Sequence, residues 1–268
     1  LGLCLLPVVP VSAESDASAT GAYNMEAISR AESLEPELYT FGVSNNFSGD
    51  PGARSASWGL SLDWQRTLAD ATYLGLGGEY LHRYASGGRE GSGFGDLTLR
   101  AGRVLLAESQ WPELLAELDL SMPAEGDACS ANPTHLPVSS ASPELGGELR
   151  LLKRFHPLTL QLALRGRKGR DYDCNGRRVS PGAMFSTTTA LSLWVNNSAR
   201  VSLITELGYR AETHVSAGVG IASYDWARQG FGVQIELGEH WSAFAESMLG
   251  VYGEADGLDL AVYLSYRP

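Results

Sequence analysis

Acidic and basic side chains recur along this chain singly, as Asp63 and Glu79, or two or four positions apart, as Asp96 and Arg100, Glu117 and Asp119, Glu148 and Arg150, Arg165 and Arg167. Residues two apart share one face of a β-strand, so these groups are expected to build walls of mixed charge. Arg100, Arg150, Arg165 and Arg167 would form a basic stripe, with Asp96, Glu117, Asp119 and Glu148 among them. Two chemistries fit such a wall. One is a charged constriction that orients a passing solute, because walls of charge set selectivity in pores. The other is a ladder of internal salt bridges that fills a closed lumen.

Catalytic chemistry has a thinner basis. His214-Val215-Ser216 has the His-x-Ser spacing of outer-membrane lipid hydrolases, but Ala217 stands where Asn usually follows the Ser. His82 and His135 lie in or beside loop-like stretches with Ser nearby. A three-residue match arises easily by chance in a Ser-rich chain, so the preferred reading is exposed loop histidines and no enzyme. Cys129 and Cys174 fall in polar stretches and form an even pair once a leader is removed, which predicts a disulfide in an oxidising compartment. No His joins them at metal-ligand spacing, so neither a metal nor another cofactor is expected.

The elements that must hold these faces are strands. In the segment 258–267, Leu258, Leu260, Val262, Leu264 and Tyr266 share one face and Asp259, Ala261, Tyr263, Ser265 and Arg267 the other. Leu158, Leu160, Leu162 and Leu164 repeat the pattern against Thr159, Gln161, Ala163 and Arg165, as do Trp58, Leu60, Leu62 and Trp64 against Gly59, Ser61, Asp63 and Gln65. Period two means strand. Similar dyads run near 37–47, 72–84, 94–107, 113–122, 144–155, 183–195, 200–210, 229–237 and 240–251.

A soluble sandwich alternates in the same way, so the connections decide between them. Links near 68–71, 109–112, 156–157, 196–198 and 238–240 are tight, while those near 48–56, 85–93, 123–143 and 168–181 are longer and rich in Gly, Ser, Pro and charge. Short and long links in turn predict an all-β fold, a transmembrane antiparallel up-and-down β-barrel with brief periplasmic turns and extended external loops. If the Leu, Val and Trp faces meet lipid, the charged faces point inward, because charges near the bilayer midplane cost several kcal/mol each. Aromatics at strand ends, among them Tyr39, Trp58, Trp64, Tyr73, Trp111, Phe155, Trp241 and Tyr266, suit the membrane girdles. The segment 214–224 also alternates, and counting it alone gives an odd total, so it is assigned to an external hairpin or to a neighbouring strand. Twelve strands are expected, with fourteen the alternative.

Residues 1–13 are apolar and end in Val11-Ser12-Ala13, which predicts the remnant of a secretory signal. Residues 14–36 are polar and aperiodic and predict a flexible periplasmic segment ahead of a barrel over 37–268. The formal net charge of −11, with no Lys/Arg-rich run, argues against nucleic acid as a partner. Outer-membrane lipids, lipopolysaccharide and the barrel-assembly machinery are the expected partners, and the bacterial outer membrane the expected location.

At Gly93-Phe94-Gly95-Asp96-Leu97-Thr98-Leu99-Arg100 the chain resembles the Gly-x-Gly-Asp strand start of a family of proteobacterial outer-membrane proteins, the transporters of the MetA pathway of phenol degradation. Phe231 to Leu237, the turn Gly238-Glu239-His240-Trp241, the strand Ala243-Phe244-Ala245-Glu246 and the final Ser265-Tyr266-Arg267 resemble that family's closing strands. The resemblance covers about a third of the chain and implies a transporter of aromatic solutes. The sequence departs from barrel habit in having Pro268 rather than an aromatic residue last, and no aromatic cluster is expected on the inward faces. The first functional expectation is a passive channel for small solutes, hydrophobic or aromatic ones included. A structural or adhesive barrel acting through its external loops comes second, and a lipid hydrolase third.

Overall fold

The computed structural model describes residues 37–48, 55–68, 71–124, 136, 138–216, 220–253 and 257–268. The expected signal remnant (1–13), the segment 14–36, Cys129 and His135 lie outside the described residues.

Twelve long strands close into one antiparallel barrel. In chain order they are β1 (Glu37–Ser48), β2 (Ser55–Thr67), β3 (Thr72–Ala85), β4 (Arg89–Leu106), β5 (Glu113–Pro123), β6 (Glu144–Phe155), β7 (Leu158–Gly169), β10 (Met184–Asn196), β11 (Ala199–Arg210), β13 (Tyr224–Glu236), β14 (Trp241–Gly253) and β15 (Leu258–Tyr266). Each pairs with its neighbour in sequence among these twelve, and β15 pairs with β1 from Tyr39↔Tyr266 to Phe47↔Leu258 to close the ring. Three short strands, β8 (Tyr172–Cys174), β9 (Arg177–Ser180) and β12 (His214–Val215), form a separate sheet in the order β12-β9-β8. The twelve-strand expectation therefore holds. Of the ambiguous 214–224 segment, His214 and Val215 pair outside the barrel, opposite Ser180 and Val179, while Tyr224 begins barrel strand β13.

Alternation sets the two faces of every barrel strand. Glu148 is 7% exposed and its neighbour Leu149 49%. The same step separates Arg100 from Leu99 and Arg165 from Leu164. The outward Leu, Val and Phe side chains surround the whole barrel, an apolar surface far larger than a soluble monomer leaves in water. Hydrocarbon is the solvent that such a belt requires, and a closed barrel satisfies its backbone groups there. Aromatic rings edge the belt. Trp58, Tyr80, His82, Tyr84 and Phe94 pack together at the loop-bearing end, with His82 and Tyr84 ring centroids 4.3 Å apart, and Trp241 meets Tyr266 at 4.7 Å at the other end.

Two connections and one girdle residue differ from expectation. The long loop expected over 85–93 is a three-residue turn, because Gly87 (φ 87°) and Gly88 (φ 74°) reverse the chain at once and β4 begins at Arg89. The external loop near 168–181 contains the β8–β9 hairpin, whose turn is Asn175-Gly176 with φ of 50° and 76°. That dipeptide suits a type I′ turn, in which both central residues need positive φ. Tyr73, expected in a girdle, is 2% exposed and points inward, where its hydroxyl donates to Glu117.

Candidate functional site

Register decides which inward charges meet. Across β4 and β5, Arg100 faces Asp119. Across β5 and β6, Glu117 faces Glu148, and across β6 and β7, Glu148 faces Arg165. Two carboxylates directly opposite repel, and neighbouring groups relieve the pair. The Tyr73 hydroxyl binds Glu117, and Arg150 binds Glu148. Asp119 lies 2.7 Å from Arg167 and 3.7 Å from Arg165, while Arg100 lies 2.8 Å from Asp63 on β2. Arg167 also approaches Glu144 at 3.6 Å.

Inward glycines let these side chains lie flat against the wall. Asp63 reaches Arg100 over Gly77, where a Cβ would sit 2.2 Å from the Asp63 Oδ1, and Asp119 lies over Gly146, where it would sit 2.3 Å from Oδ1. A strand with a side chain at either position would push the carboxylate away from its arginine.

Of the eight sequence-derived candidates, Arg100, Glu117, Asp119, Glu148, Arg150 and Arg165 are buried on the inner wall, and Arg167 is half-buried at its outer end. Asp96 leaves the group. Gly95 and Asp96 lie at a register shift, where Leu97 pairs with Gly78 and Phe94 with Tyr80. A bulge re-aims side chains, and here Asp96 accepts from the Ser140 N–H at 2.7 Å and from the Ser121 hydroxyl at 3.3 Å. It anchors the β5–β6 connection instead. The arginines form no bare basic stripe either. Arg100, Arg150, Arg165 and Arg167 each lie in an ion pair, the arrangement of an internal salt-bridge ladder.

In a second charged group, sequence reasoning places Asp259 on an inward face but misses the arginines. Arg228 on β13 lies 2.9 Å from Asp259 on β15, and Arg200 on β11 donates to Gln234 at 2.5 Å and stacks on Trp194 at 5.3 Å. Both arginines fall on their strands' inward period, Arg200 as the first residue of the dyads noted near 200–210 and Arg228 just ahead of those near 229–237. Inward aromatics were missed as well. Phe244 faces Tyr263 across β14 and β15 with stacked rings 6.1 Å apart. Ala190, Ile204, Met248 and Ala261 complete this apolar patch. Phe244 and Tyr263 are each the one buried aromatic on their strand, and only the register joins them. β14 lies diametrically across the ring from β5, so the apolar patch confronts the ion-pair wall.

Of the remaining chemical candidates, His82 is not in a loop but on barrel strand β3, packed between Trp58 and Tyr84, while His214, Ser216 and Cys174 lie outside the barrel. His214 is on β12, 3.4 Å from Glu212, and the Ser216 Oγ accepts from the Arg178 N–H at 3.0 Å. Cys174 ends β8, while Cys129 is outside the described residues. No group of His, Cys, Asp or Glu among the described residues has the geometry of a metal centre.

A closed twelve-strand antiparallel barrel with an apolar outer belt and a charged interior is an outer-membrane β-barrel, and the bacterial outer membrane is where it resides. Among solved structures the chain is similar to an outer-membrane channel from Pseudomonas putida F1, with a TM-score of 0.75 and 12% identity over 87% of this chain and 96% of that one. It is similar to the KdgM porin at a TM-score of 0.54 and 9% identity (85% and 98% covered). The translocator domain of the autotransporter NalP from Neisseria meningitidis matches at 0.53 and 11% identity (96% and 100% covered). At such identities the likeness is one of fold. No family model and no curated protein matches the chain in sequence.

Proposed function

We propose that this barrel is a narrow passive channel for small solutes, working without a cofactor, and that solutes carrying both an apolar or aromatic part and a charge suit it best. The observation that carries this reading is the division of the interior. An ion-pair wall on β2 and β4 to β7 faces the Phe244–Tyr263 patch, which lies beside the Arg228–Asp259 pair, so a solute between them meets dense charge on one side and an apolar surface bordered by a single ion pair on the other. The likeness to a channel and a porin, and the resemblance to MetA-pathway transporters at the Gly93 to Arg100 segment, support it. Because the inward side chains are buried, the passage is narrow and its conductance is expected to be small.

Planar-bilayer recording on the refolded protein tests this. Small unitary currents are expected, and Arg100→Ala, which trims a buried side chain from the wall, should enlarge them. No current and no solute flux in liposomes at any voltage would sink the proposal.

One observation favours a second reading, a barrel acting through its external surface. The β8–β9–β12 sheet gives the outer face an ordered platform, and a disulfide between Cys174 and Cys129 would tie the two largest external connections together. Unchanged mobility on non-reducing gels in wild type and Cys129→Ser alike would remove that tie.

A further inference from the structure

Glycines on the two faces of this barrel behave differently. Inward Gly77 and Gly146 have no room for a Cβ, whereas at outward Gly147 and Gly166 a Cβ would meet its nearest neighbours at 3.3 Å and 3.5 Å, close to ordinary contact. Neither outward glycine has a positive φ. Nothing within the fold demands glycine at these two places, yet they pair directly across β6 and β7. With Ala101 and Ala116 they form the floor of a groove of about 720 Å³ on the lipid side of the barrel. Leu118, Leu149, Leu164 and Phe185 are its walls, all outward and exposed. That volume falls within the range of small-molecule sites, about 300–1,000 Å³.

The groove is polar at one end only. Arg103 and Thr72 face each other across β3 and β4, and both line it. Arg103 is exposed on the lipid face, and among the described residues its guanidinium has no ion-pair partner. Its depth in the membrane follows from register. One cross-strand row runs Arg103, Ala116, Leu149, Leu164, Thr187. Arg103 is three residues from the periplasmic end of β4 at Leu106, Leu164 six from that of β7 at Leu158, and Thr187 nine from that of β10 at Asn196. The groove therefore starts beside the periplasmic headgroups at Arg103 and climbs into the hydrocarbon. A lipid-facing arginine is costly at midplane and nearly neutral near the interface, where it can meet phosphate.

We infer that this groove binds one glycerophospholipid of the periplasmic leaflet, with its phosphate on Arg103 and the Thr72 hydroxyl and an acyl chain along the Ala116, Gly147 and Gly166 floor. The cationic end selects an anionic headgroup, and its position near the periplasmic end selects phospholipid over lipopolysaccharide, which occupies the other leaflet. The site is on the outside of the barrel and is independent of any passage through it.

Native mass spectrometry of the folded full chain in mild detergent, titrated with phosphatidylglycerol, tests the inference. One lipid should survive activation that strips the others. Both Gly147→Leu/Gly166→Leu, which fills the groove, and Arg103→Gln, which leaves its shape intact, should lower the retained fraction at least fivefold. Heat-modifiable gel mobility checks that each variant is folded, and if the filled variant does not fold, Arg103→Gln alone decides. Equal retention in wild type and Arg103→Gln overturns the inference, as does displacement of the lipid by equimolar lipopolysaccharide. A two-chain mass that the filled variant abolishes would give the groove to a second copy and equally overturn it.

Discussion

Asp119 holds two guanidinium groups with a side chain only 1% exposed. Replacing it with Ala leaves Arg165 and Arg167 without their shared anion, and breaking a buried pair in this way costs about 3–5 kcal/mol. Urea unfolding of Asp119→Ala in lipid should show a loss of that order. The glycines beneath the wall give a paired comparison. Gly146→Val forces the Asp119 carboxylate aside and should cost about 1–3 kcal/mol, as overpacking does, while Gly147→Val on the opposite face should be close to neutral in the same titration. The sequence shows which face each charge takes, since that follows from period two. It does not show partners. Asp63 with Arg100 and Phe244 with Tyr263 are joined by the pairing of separate strands, which the alternation within one strand does not encode.

Connections divide by how strongly their residues constrain the backbone. The tight periplasmic turns were legible because apolar alternation runs up to both sides of each. The β3–β4 turn was not, since residues 89–93 are Gly-rich and polar and conceal strand by composition while pairing fully with β3. The β8–β9 hairpin depends on Asn175-Gly176, and on a link from Asp171 to Arg178 at 3.0 Å. The Asp171 carboxyl is held below its ordinary value of 3.8, first by a hydrogen bond from Ser180 and then by Arg178. A carboxylate with a lowered folded-state value stabilises the hairpin above the unfolded value and loses that contribution as pH falls through the lowered one. Amide protection factors over 171–180, measured against the intrinsic exchange rate at each pH, should therefore be higher near neutrality and fall below about pH 4. Asp171→Asn should remove this acid sensitivity, and its persistence would assign the effect to another group.

The apolar belt is the feature of the whole molecule that composition conceals and periodicity reveals, because each strand contributes only alternate residues to it. Placing a cation in it is expected to be costly. Leu149→Arg, well inside β6, should destabilise the reconstituted barrel by about 2–4 kcal/mol, measured by the urea midpoint, and a neutral result would contradict lipid contact at that position. Ring closure was legible only as an even strand count. It rests on β15 meeting β1, residues more than two hundred positions apart in the chain. Until that seam forms, both edges expose unpaired amides and carbonyls, each costing several kcal/mol in hydrocarbon. No shorter portion of the ring is a stable resident of the bilayer. The polypeptide must therefore be synthesised through its last strand, and kept from aggregating in water, before any of it can settle in lipid. A formal net charge of −11 sets like-charged chains against one another during that interval and so opposes their association.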